Sequence, residues 1–386
     1  MSFKFQVVRF KVLADSRLMT LASWTLAALV FANFENGSVR AALPQLKVVG
    51  TQVFNEKGAT VRLRGVNAAS MEWTSNGEGH ILQTVSNAIH EWHVNTIRLP
   101  LAQDRWFGKA PEQARAGQEP YRALVKQVVD YCASNNCYII LDLHWNDCNL
   151  WGTNIGQHSM PDLNSVEFWK DFAAVYANHP AVLFDLYNEP HDVSWDVWLK
   201  GGKITDKPNT RTEIPNYEYE CAGMQKLLDT VRATGAKNVV VAGGIGWASD
   251  LSGIVDGRQL SDPTGNGVIY ANHHYMNDRD TVEKWQARME LATAKFPVIV
   301  SEFGPSTSGR ASSMGAADPR FLEFMRQIAE HHWSFTAWDM HPSAGPVLIS
   351  DWNYTPTPGF GVYVQQMLAG TFKYTPPPVT NAPAGP

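Results

Sequence analysis

Strand-like and helix-like patterns alternate through about eight units along most of this chain, and that rhythm limits the fold more than any other feature. Short apolar runs rich in β-branched and aromatic residues fall at 63–67, 95–100, 137–144, 182–187, 238–242, 268–275, 298–302 and 335–339. They read as buried strands. Stretches at 81–92, 121–134, 166–177, 219–234, 281–294, 320–332 and 362–369 read as helices. Repeated strand–helix alternation demands a parallel sheet covered by helices, and eight units predict a closed (β/α)8 TIM barrel. A doubly wound open sheet is the competing α/β architecture, but no G-x-G-x-x-G follows the first strand. Ahead of the barrel, 46–53 and 59–64 flank Asn55-Glu56-Lys57-Gly58 and predict a β-hairpin that plugs the barrel floor.

A barrel places its working side chains at the C-terminal ends of its strands. Those ends carry Asn67, Arg98, His144, Asn188-Glu189, Gly243-Gly244, His273-His274-Tyr275, Glu302 and Trp338. Polar groups are costly in a core, yet here they recur at one end of successive strands. Two stretches share a design. Val182 to Tyr187 runs apolar apart from Asp185 and stops on Asn188-Glu189-Pro190, and Phe296-Pro297-Val298-Ile299-Val300-Ser301 stops on Glu302-Phe303-Gly304. Two strand-end glutamates facing each other across a barrel mouth form the constellation of glycoside hydrolysis. One carboxyl donates a proton and the other attacks or activates water. Around them, Arg98 is expected to hold a carboxylate ionised, His144 to donate a hydrogen bond, and Asn188 to bind a sugar hydroxyl. Tyr275 is expected to orient Glu302, and Trp338 to offer a flat face to a sugar ring.

Composition narrows the partners. A net charge of −5 offers no basic surface for nucleic acid. The 14 tryptophans, many beside Gly, Asn or Asp, suit stacking on sugars. Lys4, Arg9, Lys11 and Arg17 precede an apolar run over 18–34 and a small-residue site at Val39-Arg40-Ala41, which predicts an export signal over 1–41 and a secreted, extracellular or periplasmic product. A barrel domain over 42–372 and a Pro-rich tail over 373–386 follow, with no membrane span after signal removal. Cys132, Cys137, Cys148 and Cys221 lack the C-x-x-C spacing of a zinc site. Disulfides Cys132–Cys137 and Cys148–Cys221 and four buried thiols are both open readings. His144, Asp147, His158, His191, His273 and His274 are possible metal ligands, but none has the tight spacing of H-E-x-x-H, and no catalytic metal is expected.

The chain resembles glycoside hydrolase family 5, the cellulase family. The resemblance rests on Leu63-Arg64-Gly65-Val66-Asn67, Ile97-Arg98-Leu99-Pro100, Leu141-Asp142-Leu143-His144, Tyr187-Asn188-Glu189-Pro190, His273-His274-Tyr275, Ser301-Glu302-Phe303-Gly304 and Ala337-Trp338, in that order. It implies Glu189 as acid/base, Glu302 as nucleophile, and Arg98, His144, Asn188, His273, Tyr275 and Trp338 as their supporting shell. It also implies a retaining mechanism, no metal or organic cofactor, and a β-linked polysaccharide or oligosaccharide as substrate. An endo-β-1,4-glucanase acting as a monomer is the expectation. Endo-β-1,4-mannanase or xyloglucanase action, and a glycan-binding barrel without catalysis, are the alternatives. The negative charge of Glu302 is expected to raise the pKa of Glu189.

Overall fold

A computed structural model describes residues 43–206, 217–276, 281–305 and 318–375. The expected export signal over 1–41, and the tail beyond residue 375, lie outside them.

Twelve strands are formed among the described residues. Eight close into a parallel barrel: β3 (Arg64–Asn67), β4 (Thr96–Ala102), β5 (Tyr138–Trp145), β6 (Val182–Asp185), β9 (Val240–Gly243), β10 (Val268–Tyr275), β11 (Val298–Gly304) and β12 (Ser334–Ala337), which pairs back onto β3. The expected (β/α)8 architecture is therefore the observed one.

Side chains alternate across each strand, and the alternation divides the core in two. Leu63, Tyr138, Ile140, Leu183, Val239, Val241, Ile269, Ala271 and Ile299 fill the barrel interior with Leu46 and Val53 from the N-terminal hairpin and Leu43 just ahead of it. Their neighbours Val66, Ile97, Ile139, Leu141, Phe184, Val240, Tyr270, Val300 and Phe335 face the surrounding helices. The helix Glu119–Ser134 shows how that outer contact is encoded: Tyr121, Val125, Val128, Val129 and Cys132 are its buried residues, three or four apart. The helix Leu163–Val175 starts at a capping box in which the Asp162 side chain accepts from the Ser165 backbone N–H.

Continuing each inward row toward the C-terminal end changes its chemistry. Leu63 and Gly65 lead to Asn67, Ile140 to Asp142 and His144, Leu183 to Asp185, and Ala271 to His273 and Tyr275. The floor of the barrel is thus apolar and its mouth ionic. One strand breaks the rule. Asn272 pairs with Val300 but His273 pairs with Glu302, so Ser301 is an extra residue in β11. Strict alternation from Ile299 would turn Glu302 outward; the bulge aims both Ser301 and Glu302 at the mouth.

Three expectations need correction. The N-terminal hairpin pairs β1 (Leu46–Val49) with β2 (Gln52–Asn55), so its turn is at Gly50-Thr51, where Gly50 has φ 61°. Asn55 to Gly58 forms a second turn, its Asn55 side chain accepting from the Lys57 and Ala59 backbone N–H groups. The helix expected over 219–234 spans Met224–Ala233, because 219–222 belong to an antiparallel hairpin of β7 (Gly201–Asp206) and β8 (Tyr217–Ala222). Neither disulfide forms: Cys132, Cys137 and Cys221 are buried free thiols, and the Cys148 sulfur lies 4.0 Å from Asp206 Oδ2. Cys132, on the buried face of the helix Glu119–Ser134, and Cys137, just after that helix, are packed within the apolar core.

Candidate active site

Arg98 projects inward from β4 and is fully buried. Its guanidinium reaches every important neighbour. Nη1 donates to Glu302 Oε1 at 2.7 Å and to Asn67 Oδ1 at 3.0 Å, and Nη2 donates to Asn188 Oδ1 at 2.7 Å. Nε pairs with Asp185 Oδ2 and Nη2 with Asp142 Oδ2, each at 3.0 Å. Burial opposes the Arg98 charge, but Asp142, Asp185 and Glu302 together raise its pKa above the usual value. One cation among three buried carboxylates cannot balance them all. Burial raises both Asp142 and Asp185 to about 7 in spite of the ion pairs.

Glu302 has both oxygens engaged. Oε1 accepts from Arg98, and Oε2 accepts from the Tyr275 hydroxyl at 2.6 Å. Burial first, and then the charge of Glu302, raises the Tyr275 pKa well above its usual value, so the phenol keeps its proton and donates. Glu189 lies across the mouth and is less enclosed, its side chain 15% exposed against 4% for Glu302. Burial raises its pKa to about 7, with a smaller raising contribution from Asp142, while His144 and Arg98 oppose the rise. The cause is thus principally desolvation, not the expected charge of Glu302.

His273 stands between the two glutamates. Its Nδ1 is 2.9 Å from Glu189 Oε1 and 3.6 Å from Glu302 Oε2, and its Nε2 is 2.9 Å from Ser301 Oγ. Burial lowers its pKa to about 3, which keeps the ring neutral. Glu189, His273 and Glu302 each offer an atom within 4.8 Å of the others, a spacing that a metal ion could use. Both Glu302 oxygens already accept, from Arg98 and Tyr275, His273 Nδ1 is engaged with Glu189 Oε1, and the guanidinium supplies the positive charge.

His144 is fixed by a chain of contacts that starts at Arg98. The guanidinium turns Asn188 Oδ1 toward itself, so Asn188 Nδ2 faces His144 Nε2 at 3.2 Å. An amide donor there requires a lone pair on Nε2, and Nδ1–H then donates to Asp142 Oδ2 at 2.6 Å. Burial lowers the His144 pKa to about 4, in keeping with a neutral ring. The second Asn188 Nδ2 proton goes to Gln157 Oε1 at 3.1 Å. Trp338 is half-buried. Its ring lies 5.5 Å from His144 at 17°, and its Nε1–H donates to Ala344 O at 3.2 Å.

All eight residues singled out in the sequence, Arg98, His144, Asn188, Glu189, His273, Tyr275, Glu302 and Trp338, are brought to one mouth. Sequence reasoning missed Asp142, Asp185, Ser301 and Gln157. For two of these a signal was present: Asp142 stands two before His144, and Asp185 two after inward Leu183, so strand parity aims both inward. Trp247 was also missed. It is 43% exposed and stacks on His191, with ring centroids 3.4 Å apart.

Residues 54–344 match the family described as cellulase, glycosyl hydrolase family 5. Endoglucanase MaCel5A of Microbulbifer sp. (strain ALW1) is 24% identical over 302 residues, covering 76% of this chain and 51% of that protein. Endoglucanase N of Pectobacterium atrosepticum is 24% identical over 306 residues, covering 76% of this chain and 57% of that protein. The chain therefore spans little more than half the length of these curated relatives. In fold it is similar to the β-glucanase SdGluc5_26A from Saccharophagus degradans, with a TM-score of 0.65, 22% identity and coverage of 86% of this chain and 94% of that one. That β-glucanase has also been solved in complex with cellotetraose.

Proposed function

The chain belongs to glycoside hydrolase family 5, and on that premise we propose that it is a secreted, retaining endo-β-1,4-glucanase working through Glu189 and Glu302. The observation that carries this reading is the unlike treatment of two adjacent carboxyls. A carboxylate oxygen of each lies within 4.8 Å of the other, a proximity that suits direct attack by one of them rather than an intervening water. Glu302 accepts from a guanidinium and a phenol, whereas burial favours a proton on Glu189. A barrel that only bound glycans would have no use for this division. The endoglucanase names of the relatives, and the cellotetraose complex of the structural neighbour, favour a β-1,4-glucan over mannan or xyloglucan.

The reaction has two displacements. Glu302 attacks the anomeric carbon as the glycosidic C–O bond breaks, and the Glu189 proton passes to the departing oxygen. Glu189 is then a carboxylate. It takes a proton from water as that water attacks the same carbon, the bond to Glu302 breaks, and both glutamates return to their starting states. Arg98 and Tyr275 hold Glu302 on the line of attack, and His273 holds Glu189 beside it. Trp338, placed against His144, offers a stacking floor for the sugar at the cleavage point. Asn188 reaches a sugar hydroxyl only by releasing Gln157 or by sharing its amide.

The test is hydrolysis of carboxymethyl cellulose, with locust-bean gum and xyloglucan in parallel. Carboxymethyl cellulose should lose viscosity before many reducing ends accumulate. NMR of the first product from a cello-oligosaccharide should show the β-anomer, and replacing either glutamate by Ala should lower kcat roughly 10²–10⁴-fold or more. First appearance of the α-anomer overturns retention. Preferred cleavage of galactomannan or xyloglucan overturns the substrate. Binding without cleavage of any of the three selects the glycan-binding barrel.

A further inference from the structure

A second cluster of reactive side chains lies outside the glutamate pair. Cys148 and His158 come from the loop between β5 and the helix Leu163–Val175, and Asp206 ends β7. All three are buried, and one ligand atom from each lies within 4.8 Å of the others. Asp206 Oδ2 is 4.0 Å from Cys148 Sγ and 2.8 Å from His158 Nδ1. Sulfur, imidazole nitrogen and carboxylate oxygen form the donor set of a borderline cation such as zinc.

The surroundings of these atoms point the same way. Asp206 Oδ1 accepts from Ser159 N at 3.1 Å and from Ser159 Oγ at 2.8 Å, which fixes the carboxylate and leaves Oδ2 turned inward. His158 Nε2 lies 2.7 Å from the Asn154 carbonyl oxygen, with the Asn154 amide nitrogen farther away at 3.3 Å. At 2.7 Å a carbonyl calls for a proton on Nε2. In the neutral ring that leaves a lone pair on Nδ1, directed at a carboxylate oxygen 2.8 Å away. Two lone pairs at that distance repel unless a proton or a metal ion lies between them. A ligating histidine whose other nitrogen donates to a backbone carbonyl, beside a carboxylate held by hydrogen bonds, is the outer-shell pattern of a metal site.

We propose that Cys148, His158 and Asp206 bind one zinc-class divalent cation, with water as a fourth ligand, and that the ion clamps the loop after β5 onto the β7–β8 hairpin. A tetrahedral zinc site separates its N, O and S donors by roughly 3.3–3.7 Å. The sulfur–oxygen distance of 4.0 Å therefore closes slightly, and the nitrogen–oxygen distance of 2.8 Å opens. Cys148 ligates as a thiolate, its proton passing to solvent as the metal–sulfur bond forms. The ion plays no part in the glycosidic chemistry. Its consequence is positional: Gln157, next to His158, carries the contacts to Asn188 Nδ2 and to the Glu189 carbonyl. Tyr187, two residues before Glu189, donates to the His158 carbonyl at 2.7 Å.

The full chain, stripped with chelator, is loaded with Zn2+ and desalted, and its metal is measured by mass spectrometry. The expected result is about one zinc per chain, with near-total loss in Cys148→Ala and in Asp206→Asn and no loss in Cys132→Ala. Loading the wild type with Co2+ should give a thiolate-to-cobalt charge-transfer band, which needs no variant to fold. Two results overturn the proposal: wild-type protein that folds but retains no zinc, or a Co2+ complex without the thiolate band. Either would leave a hydrogen bond, and no metal ion, between His158 Nδ1 and Asp206 Oδ2. Both readouts are independent of hydrolysis, so they stand apart from the proposed glucanase activity.

Discussion

Glu189 and Glu302 begin as the same side chain, and their neighbours divide them. Glu302 is met by Arg98 at 2.7 Å and Tyr275 at 2.6 Å, both donors. Glu189 is met by a neutral His273 and by burial that lifts its pKa to about 7. If Glu189 supplies the proton for bond cleavage, kcat/KM for a cello-oligosaccharide must fall as pH rises through about 7, where that proton is lost. A dinitrophenyl cellobioside departs without a proton. With that substrate Glu189→Ala should keep much of its kcat/KM and lose the alkaline fall, while Glu302→Ala stays inactive. An alkaline fall that persists in Glu189→Ala with the activated substrate assigns the titration to another group.

At the scale of elements, the barrel depends on close approach as well as on pattern. Gly65 sits on the inward row of β3, where an added Cβ would lie 1.8 Å from the Thr96 carbonyl oxygen of β4. That oxygen is backbone and cannot swing aside. Gly65→Ala should therefore cost about 1–3 kcal/mol or more, read as a lower urea midpoint with unchanged slope; an unchanged midpoint overturns the close approach. Strands of this kind were legible because they are buried on both faces and read as continuous apolar runs. Arg98, His144, Glu189 and Glu302 stood out because a charge at the end of such a run is expensive. The β7–β8 hairpin was not legible. Gly201-Gly202-Lys203-Ile204-Thr205-Asp206 is mostly exposed or half-exposed, so no apolar alternation marks it. The bulge at Ser301 was equally silent, since one extra residue leaves no trace in composition. Asp206 comes from a different segment than Cys148 and His158, and no local spacing could join all three.

Across the whole molecule, an apolar floor and an ionic mouth leave many titratable groups in low-dielectric surroundings, and their signs can be worked through. Burial raises Glu72 to about 8 and Asp142, Asp185 and Glu189 to about 7. A raised carboxyl contributes stability that is full below its unfolded value, near 4, and is lost as pH rises through the folded value. Burial lowers His144 to about 4 and His273 to about 3, which works in the opposite sense. Their contribution is full above the unfolded value, near 6.5, and is lost as pH falls toward the folded value. Between about 4.5 and 6.5 the two classes oppose each other, but the four raised carboxyls outnumber the two lowered histidines, and stability should fall gently. Above about 6.5 the histidines no longer titrate in either state, and only the carboxyls remain to be ionised in the folded protein. The Tm should therefore fall steadily from about pH 6.5 to 8.5. Differential scanning calorimetry across that range checks this, with Glu72→Gln as the partner measurement because Glu72 is among the most raised of the buried carboxyls. The variant should show a shallower fall. A wild-type Tm that stays flat over the window would mean that these carboxyls are already ionised in the fold.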